Sequence, residues 1–126
     1  FVAEQTVKLM VKQDIRVKEA RVLVLGITFK ENCPDIRNTR VIDIIRELQD
    51  YSLQVDIYDP WANNQEVKEE FELSLIAKPA GPYDAIILAV AHKKFESLDI
   101  PALKKKDGVV YDVKGVLDRS IVDGRL

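Results

Sequence analysis

The stretch ARVLVLGITFKENCPDIRNTR, Ala20 to Arg40, decides how the rest of the chain is read. Val22-Leu23-Val24-Leu25 is a continuous apolar run between a basic residue and Gly26. A run of this kind, without alternation, marks a strand buried on both faces. Ile27 to Arg37 form a loop, and Asn38 and Thr39 then offer side-chain oxygens to cap a helix starting near Arg40. The loop thus leaves the carboxyl end of a strand and enters a helix N-terminus. In open α/β sheets that crevice is where ligands bind. Free N–H groups and the helix dipole favour anions there, and Lys30, Arg37 and Arg40 add positive charge. The stretch points to a site for an anionic ligand such as a phosphate.

Working outward, residues 2–18 hold no glycine or proline, and Ala3, Val7, Met10, Val11 and Ile15 recur at helical spacing. Val41, Ile42, Ile44, Ile45 and Leu48 form the apolar face of the helix after the loop, which ends near Asp50. Residues 53–58 alternate as a strand that Asp59-Pro60 stops, and residues 63–70 make a short exposed helix. Phe71-Glu72-Leu73 fits a short edge strand, and residues 78–82 a turn. Residues 85–90 are the most apolar run and a central strand. Residues 97–106 suit a short helix with Pro101 in its first turn, and residues 108–111 a last strand. Strands alternating with helices imply a parallel sheet covered on both faces.

The 126 residues suffice for one core, and 47% hydrophobic with 32% charged residues is ordinary for a globular chain. A net charge of −2 gives no general attraction to nucleic acid or to an acidic membrane, so any anion site must be local. No apolar run approaches the ~20 residues of a membrane span. A single cysteine excludes an internal disulfide framework and suits a reducing cytoplasm. The lone histidine, His92, has no partner at zinc spacing, so no metal site is expected. It caps the turn after residues 85–90 or contacts the crevice rim. The chain starts at Phe1 and breaks off after Gly124-Arg125-Leu126, which reads as a domain cut from a longer protein.

The run Gly26-Ile-Thr-Phe-Lys-Glu-Asn-Cys-Pro-Asp-Ile-Arg-Asn-Thr39 resembles the carboxy-terminal domain of the UDP-glucose/GDP-mannose dehydrogenase family. Asp56-Ile57-Tyr58-Asp59-Pro60, Ala89-Val90-Ala91-His92 and Tyr111-Asp112-Val113-Lys114-Gly115 fit the same family in the same order. The nearest likeness is to bacterial UDP-N-acetylhexosamine 6-dehydrogenases of surface-polysaccharide synthesis. The resemblance implies a three-layer αβα, Rossmann-like domain with a mainly parallel five-stranded sheet. Numbering the expected strands along the chain, it implies the order 3-2-1-4-5. Residues 1–18 would be the tail of an interdomain linking helix, and residues 19–126 the UDP-sugar-binding domain. The longer enzyme would use NAD and be a homodimer or larger. It would pair this domain with an amino-terminal domain holding most of the NAD.

The resemblance also assigns residues. Phe29, Lys30 and Lys114 would contact the UDP-sugar. Arg37 would contact NAD, with Asp35 to orient it. No catalytic residue is expected in this chain. Cys33 stands in Asn32-Cys33-Pro34-Asp35, which is not the context of the family's nucleophilic thiol, so it is read as a loop packing residue. Gly26-Ile27-Thr28-Phe29 is not the G-x-G-x-x-G of a dinucleotide fingerprint. Two other readings share the fold class. A phospho-receiver would need an acidic pair where Gly26-Ile27-Thr28 stands. A stand-alone nucleotide- or CoA-binding module would need more than one glycine in that turn.

Overall fold

The computed structural model describes residues 1–126, and its centre is the strand β1, Arg21–Leu25, with Val22 to Leu25 fully buried. Both faces of β1 are covered, because its side chains alternate between two cores. Val22 and Val24 face α1 (Val2–Lys12) and α2 (Val41–Asp50), packing with Met10, Ile45 and Leu48. Leu23 and Leu25 face the other way, with Tyr83, Phe95 and Ile100. That second layer is thin: a 3-10 turn at Lys93–Ser97 and the four-residue α4, Ile100–Leu103. The result is three layers, with the larger core on the α1/α2 side.

The other strands are β2 (Gln54–Tyr58), β3 (Tyr83–Leu88), β4 (Lys104–Asp112) and β5 (Gly124–Arg125). All pairings are parallel, in the order β2-β1-β3-β4-β5. The register aligns the strand ends. Leu25 pairs with Tyr58 and Leu88, Leu88 with Asp112, and Asp112 with Arg125. Every loop leaving a strand's carboxyl end therefore starts from one rim.

The fold class agrees with expectation, five strands included, but one edge strand differs. Residues 71–73 do not form a strand. Phe71 ends α3 (Asn64–Phe71), and Glu72 caps it in a left-handed conformation, φ 57°. The fifth strand is instead β5, on the opposite edge. The first helix stops at Lys12 rather than running to residue 18. Asp14 turns left-handed at φ 59°, and the Ile15 N–H folds back to the Met10 carbonyl. Val11 lies off the buried face and is 58% exposed. The helix expected over 97–106 shrinks to α4, since β4 already begins at Lys104.

Gly26 ends β1 at φ +96°, and a Cβ built there would lie 2.5 Å from the Val90 Cβ. The loops leaving β1 and β3 pass each other at this point, and only a residue without a side chain lets them. Gly26→Ala should destabilise the protein by about 2–5 kcal/mol, combining positive-φ strain with overpacking. Urea unfolding checks this; a loss under about 1 kcal/mol would mean that the crossing relaxes.

Candidate functional site

The rim where the strands end is built around two buried carboxylates. Asp59, the first residue past β2, has a side chain shielded completely from solvent. Its Oδ2 accepts hydrogen bonds from Ile27 N (2.7 Å), Thr28 N (3.2 Å) and His92 Nε2 (3.0 Å). Its Oδ1 accepts from Trp61 N (2.8 Å) and Ala62 N (3.2 Å). Asp112, which ends β4, repeats the device. Its oxygens accept from the N–H groups of Lys114 (3.0 Å), Gly115 (2.8 Å) and Leu117 (2.7 Å). Unpaired, such buried charges would be prohibitive; with charge-assisted bonds on both oxygens they become the pins of the loops.

Over these pins lies a cavity of about 550 Å³. One wall is a face of α2: Arg40, Asp43, Ile44 and Glu47 fall at helical i, i+3, i+4, i+7 spacing. Phe29 from the β1 loop and Lys114 from the β4 loop stand opposite. The cavity thus opens at the α2 N-terminus, where Thr39 Oγ1 accepts from Val41 N at 3.2 Å. Asn38 is not a cap; it takes φ 61° in the turn before the helix. Phe1, Val2 at the start of α1 and Leu126 also line it.

The nominated residues separate. Phe29, 56% exposed, and Lys114 both line the cavity. Lys30 is exposed on the same loop, next to Phe29, but is not part of the lining. Arg37 also lies outside it, 85% exposed and paired with Asp35. Its Nε and one terminal nitrogen each stand 3.0 Å from an Asp35 oxygen, and its own N–H donates to Oδ1 at 2.8 Å. This pairing pulls the Asp35 carboxyl below the usual range. Cys33 is a free, half-buried loop residue.

Three residues matter here that were not nominated. Arg40 lines the cavity mouth; its charge was legible, its direction was not. Asp59 was hidden in an Asp-Pro dipeptide that reads as a strand stop. His92 stands at the cap position of the turn after β3, where its carbonyl accepts the Phe95 N–H, but its side chain is buried and bonds Asp59, Thr28 and Asn32. Together these arrangements can hold an anion beside Arg40 and Lys114 and hydroxyl-bearing groups beside Asp43 and Glu47.

Burial by itself would raise the Asp59 carboxyl, but the bonds from His92, Ile27 and Trp61 outweigh it and hold the group below its ordinary value of 3.8. A depressed folded value stabilises the protein above the ordinary value. That contribution is lost as pH falls toward the folded one. Asp59→Asn leaves some of these donors unpaired and should cost about 2–4 kcal/mol near neutral pH. The gap between wild type and variant should narrow as pH drops through the acid range. Urea denaturation across pH reads this; a gap independent of pH would show that the carboxylate charge is not what stabilises.

Residues 23–119 match the UDP binding domain of the UDP-glucose/GDP-mannose dehydrogenase family. The whole chain aligns at 48% identity with the UDP-N-acetyl-D-glucosamine 6-dehydrogenase of Pseudomonas aeruginosa, covering 31% of that protein. The same enzyme of Salmonella typhi is 47% identical over the same shares. Protein CapL of Staphylococcus aureus is 43% identical over 94% of this chain and 28% of its own length. The chain thus spans less than a third of the curated relatives it matches. Among solved structures, the UDP-D-ManNAc dehydrogenase of Pyrococcus horikoshii superposes with a TM-score of 0.77 over 98% of this chain and 29% of its own. At 20% identity it speaks for the fold alone. The switch-point crevice, its two carboxylate pins and the match over residues 23–119 lead to one conclusion: the chain belongs to the UDP-glucose/GDP-mannose dehydrogenase family, as its UDP binding domain.

Proposed function

We propose that this chain holds the UDP-sugar of an NAD-dependent 6-dehydrogenase, one that oxidises the sugar C6 alcohol to a carboxylate for polysaccharide synthesis. The observation that carries this reading is the cavity at the α2 N-terminus, lined by Arg40 and Lys114 together with Asp43 and Glu47. A UDP-sugar has matching polarity: two phosphates, then hydroxyl-rich rings. Lys114 and Lys30 neutralise the diphosphate, Lys30 reaching in on its four-carbon stem. Phe29 offers its ring as an apolar wall. The 6-dehydrogenase names of the relatives support the same reading.

Residues 1–18 belong, in this reading, to the helix linking this domain to an amino-terminal one in a cytoplasmic homodimer or larger assembly. NAD, when bound, supplies the hydride acceptor. The chain itself does not fit a whole dinucleotide, because the one glycine after β1, Gly26, is filled against Val90 rather than open to a pyrophosphate. Arg37 does fit a single contact with it. Asp35 occupies one edge of the guanidinium and leaves the other terminal nitrogen unpaired, in solvent. With no thiol in the nucleophile's context, this chain binds and orients but does not catalyse.

Calorimetric titration of UDP, NAD and CoA separates this reading from a stand-alone CoA or dinucleotide module. UDP should bind and CoA should not; CoA binding without UDP would overturn the assignment. Lys30→Ala and Lys114→Ala should each weaken UDP binding about ten- to hundredfold, from charge-assisted bonds of roughly 1.5–3 kcal/mol. Two variants binding like wild type would mean that the diphosphate lies elsewhere. Arg37→Lys keeps the charge and loses the planar fork. In the longer enzyme it should raise KM for NAD more than KM for the UDP-sugar. Loss of UDP affinity in this chain would instead move Arg37 to the nucleotide-sugar site.

A further inference from the structure

The loop that carries Phe29 and Lys30 is held at both ends by one imidazole. His92 Nε2 stands 3.1 Å from Thr28 Oγ1, and His92 Nδ1 accepts the Asn32 N–H at 2.9 Å. Phe29, Lys30 and Glu31, the residues between these two anchors, are all exposed. The grip is reciprocal. Asn32 Oδ1 accepts the Lys93 N–H at 2.9 Å, so the β1 loop and the β3 loop hold each other. Thr28 Oγ1 also donates to the Lys30 carbonyl at 3.0 Å, which closes the turn from inside.

The ring cannot turn away from this arrangement. Its side chain is fully buried, with the Phe95 ring 5.3 Å and the Trp61 ring 6.3 Å from it, centroid to centroid. Its tautomer follows from its partners. Nδ1 faces an N–H and must present a lone pair, so Nε2 carries the hydrogen and shares it between Asp59 Oδ2 at 3.0 Å and Thr28 Oγ1 at 3.1 Å, both as acceptors. The imidazole therefore relays the position of the Asp59 carboxylate, pinned at the end of β2, to the Asn32 end of an exposed loop.

We infer that His92 is a positioning residue for the nucleotide-sugar site: it fixes the Phe29-Lys30 turn over the crevice by holding its Asn32 end, while Asp59 holds the Thr28 end through the Thr28 N–H. This rests on the UDP-sugar reading above. A loop ordered before binding does not have to be ordered by the ligand, so its affinity depends on the clamp. A purely structural histidine would serve stability alone.

Two near-isosteres divide the two functions of the ring. In His92→Asn the side-chain oxygen lies where Nδ1 was and can still accept from Asn32; the Nε2 bonds to Asp59 and Thr28 are lost, but Thr28 stays tied to Asp59 Oδ2 through its own N–H. In His92→Gln the amide nitrogen lies where Nε2 was and can still donate to Asp59, while the acceptor for Asn32 is lost. Three measurements are made on wild type and both variants: thermal unfolding, amide hydrogen exchange over residues 28–33, and calorimetric UDP titration. His92→Gln should unfold at the higher temperature of the two, yet lose protection at Asn32 and weaken UDP binding by about tenfold, one hydrogen bond's equivalent. His92→Asn should be the less stable, yet keep Asn32 protected and bind UDP within about threefold of wild type. UDP affinity that follows thermal stability, or that falls equally in both, would overturn the inference. Wild type that protects Asn32 but does not bind UDP would overturn the UDP-sugar reading, and this inference with it. Wild type that binds UDP with an unprotected Asn32 would overturn the clamp alone.

Discussion

The Asp59 carboxylate is the constraint on which the rim depends. It sits where β2 ends, and it collects donors from the loop after β1, from its own loop and from His92 beyond β3. A charge shut away from water must be satisfied on every side or it unfolds its surroundings. Here the demand is met almost wholly by backbone N–H groups, which cannot move without moving the loops that carry them. One buried charge thereby sets three strand exits relative to one another. Asp112 does the same for the exit of β4, adding Arg125 of β5 at 3.6 Å. The sheet supplies an aligned rim, and the two aspartates turn it into a defined surface.

What was legible in the sequence follows from how much of the pattern is apolar. Val22 to Leu25 and residues 85–88 are buried on both faces, and their unbroken hydrophobic runs say so. The α2 face was equally plain, with Ile42, Ile45 and Leu48 buried in one row. Elements stabilised by something other than apolar surface were not legible. β5 is two residues long, one of them glycine, and exists because Tyr111 and Asp112 offer it a register. β4 begins with three lysines whose side chains stay largely in solvent, so no alternation announces its first turn. Phe71-Glu72-Leu73 has a strand-like apolar pattern, but the helix before it runs through Phe71, and the left-handed Glu72 then breaks any extended path. The end of α1 was missed for a related reason: a left-handed aspartate carries no mark in the sequence.

The site divides along the same line. Motif and charge located the loops that meet at the crevice, and Phe29 and Lys114 do line it. Direction is a property of packing, so sequence could not tell Arg40, which faces the cavity, from Arg37, which turns to Asp35. Nor could it show His92 as a centre. The contacts that define it bridge 33, 60 and 64 positions of chain. Only the exclusivity of a single histidine hinted that it had a defined place.

The arrangement also explains how a chain of net charge −2 can present a local anion site. Charges at the rim are sorted by burial rather than by number. The two aspartates at the strand ends, Asp59 and Asp112, are buried, and their oxygens are engaged by hydrogen-bond donors. Those donors point their dipoles at the carboxylates and offset much of the negative potential that bare acids would project into the cavity. The basic groups around the mouth, Lys30, Arg40 and Lys114, stay exposed, where they can meet a ligand. The acids left in contact with the cavity are Asp43, in the first turn of α2, and Glu47, one turn farther along. Arg40, Asp43 and Glu47 share one face of α2, so a single wall of the cavity carries a base and two acids in succession. Buried acids hold the loops, and exposed bases are left on the same rim, free to pair with an anion.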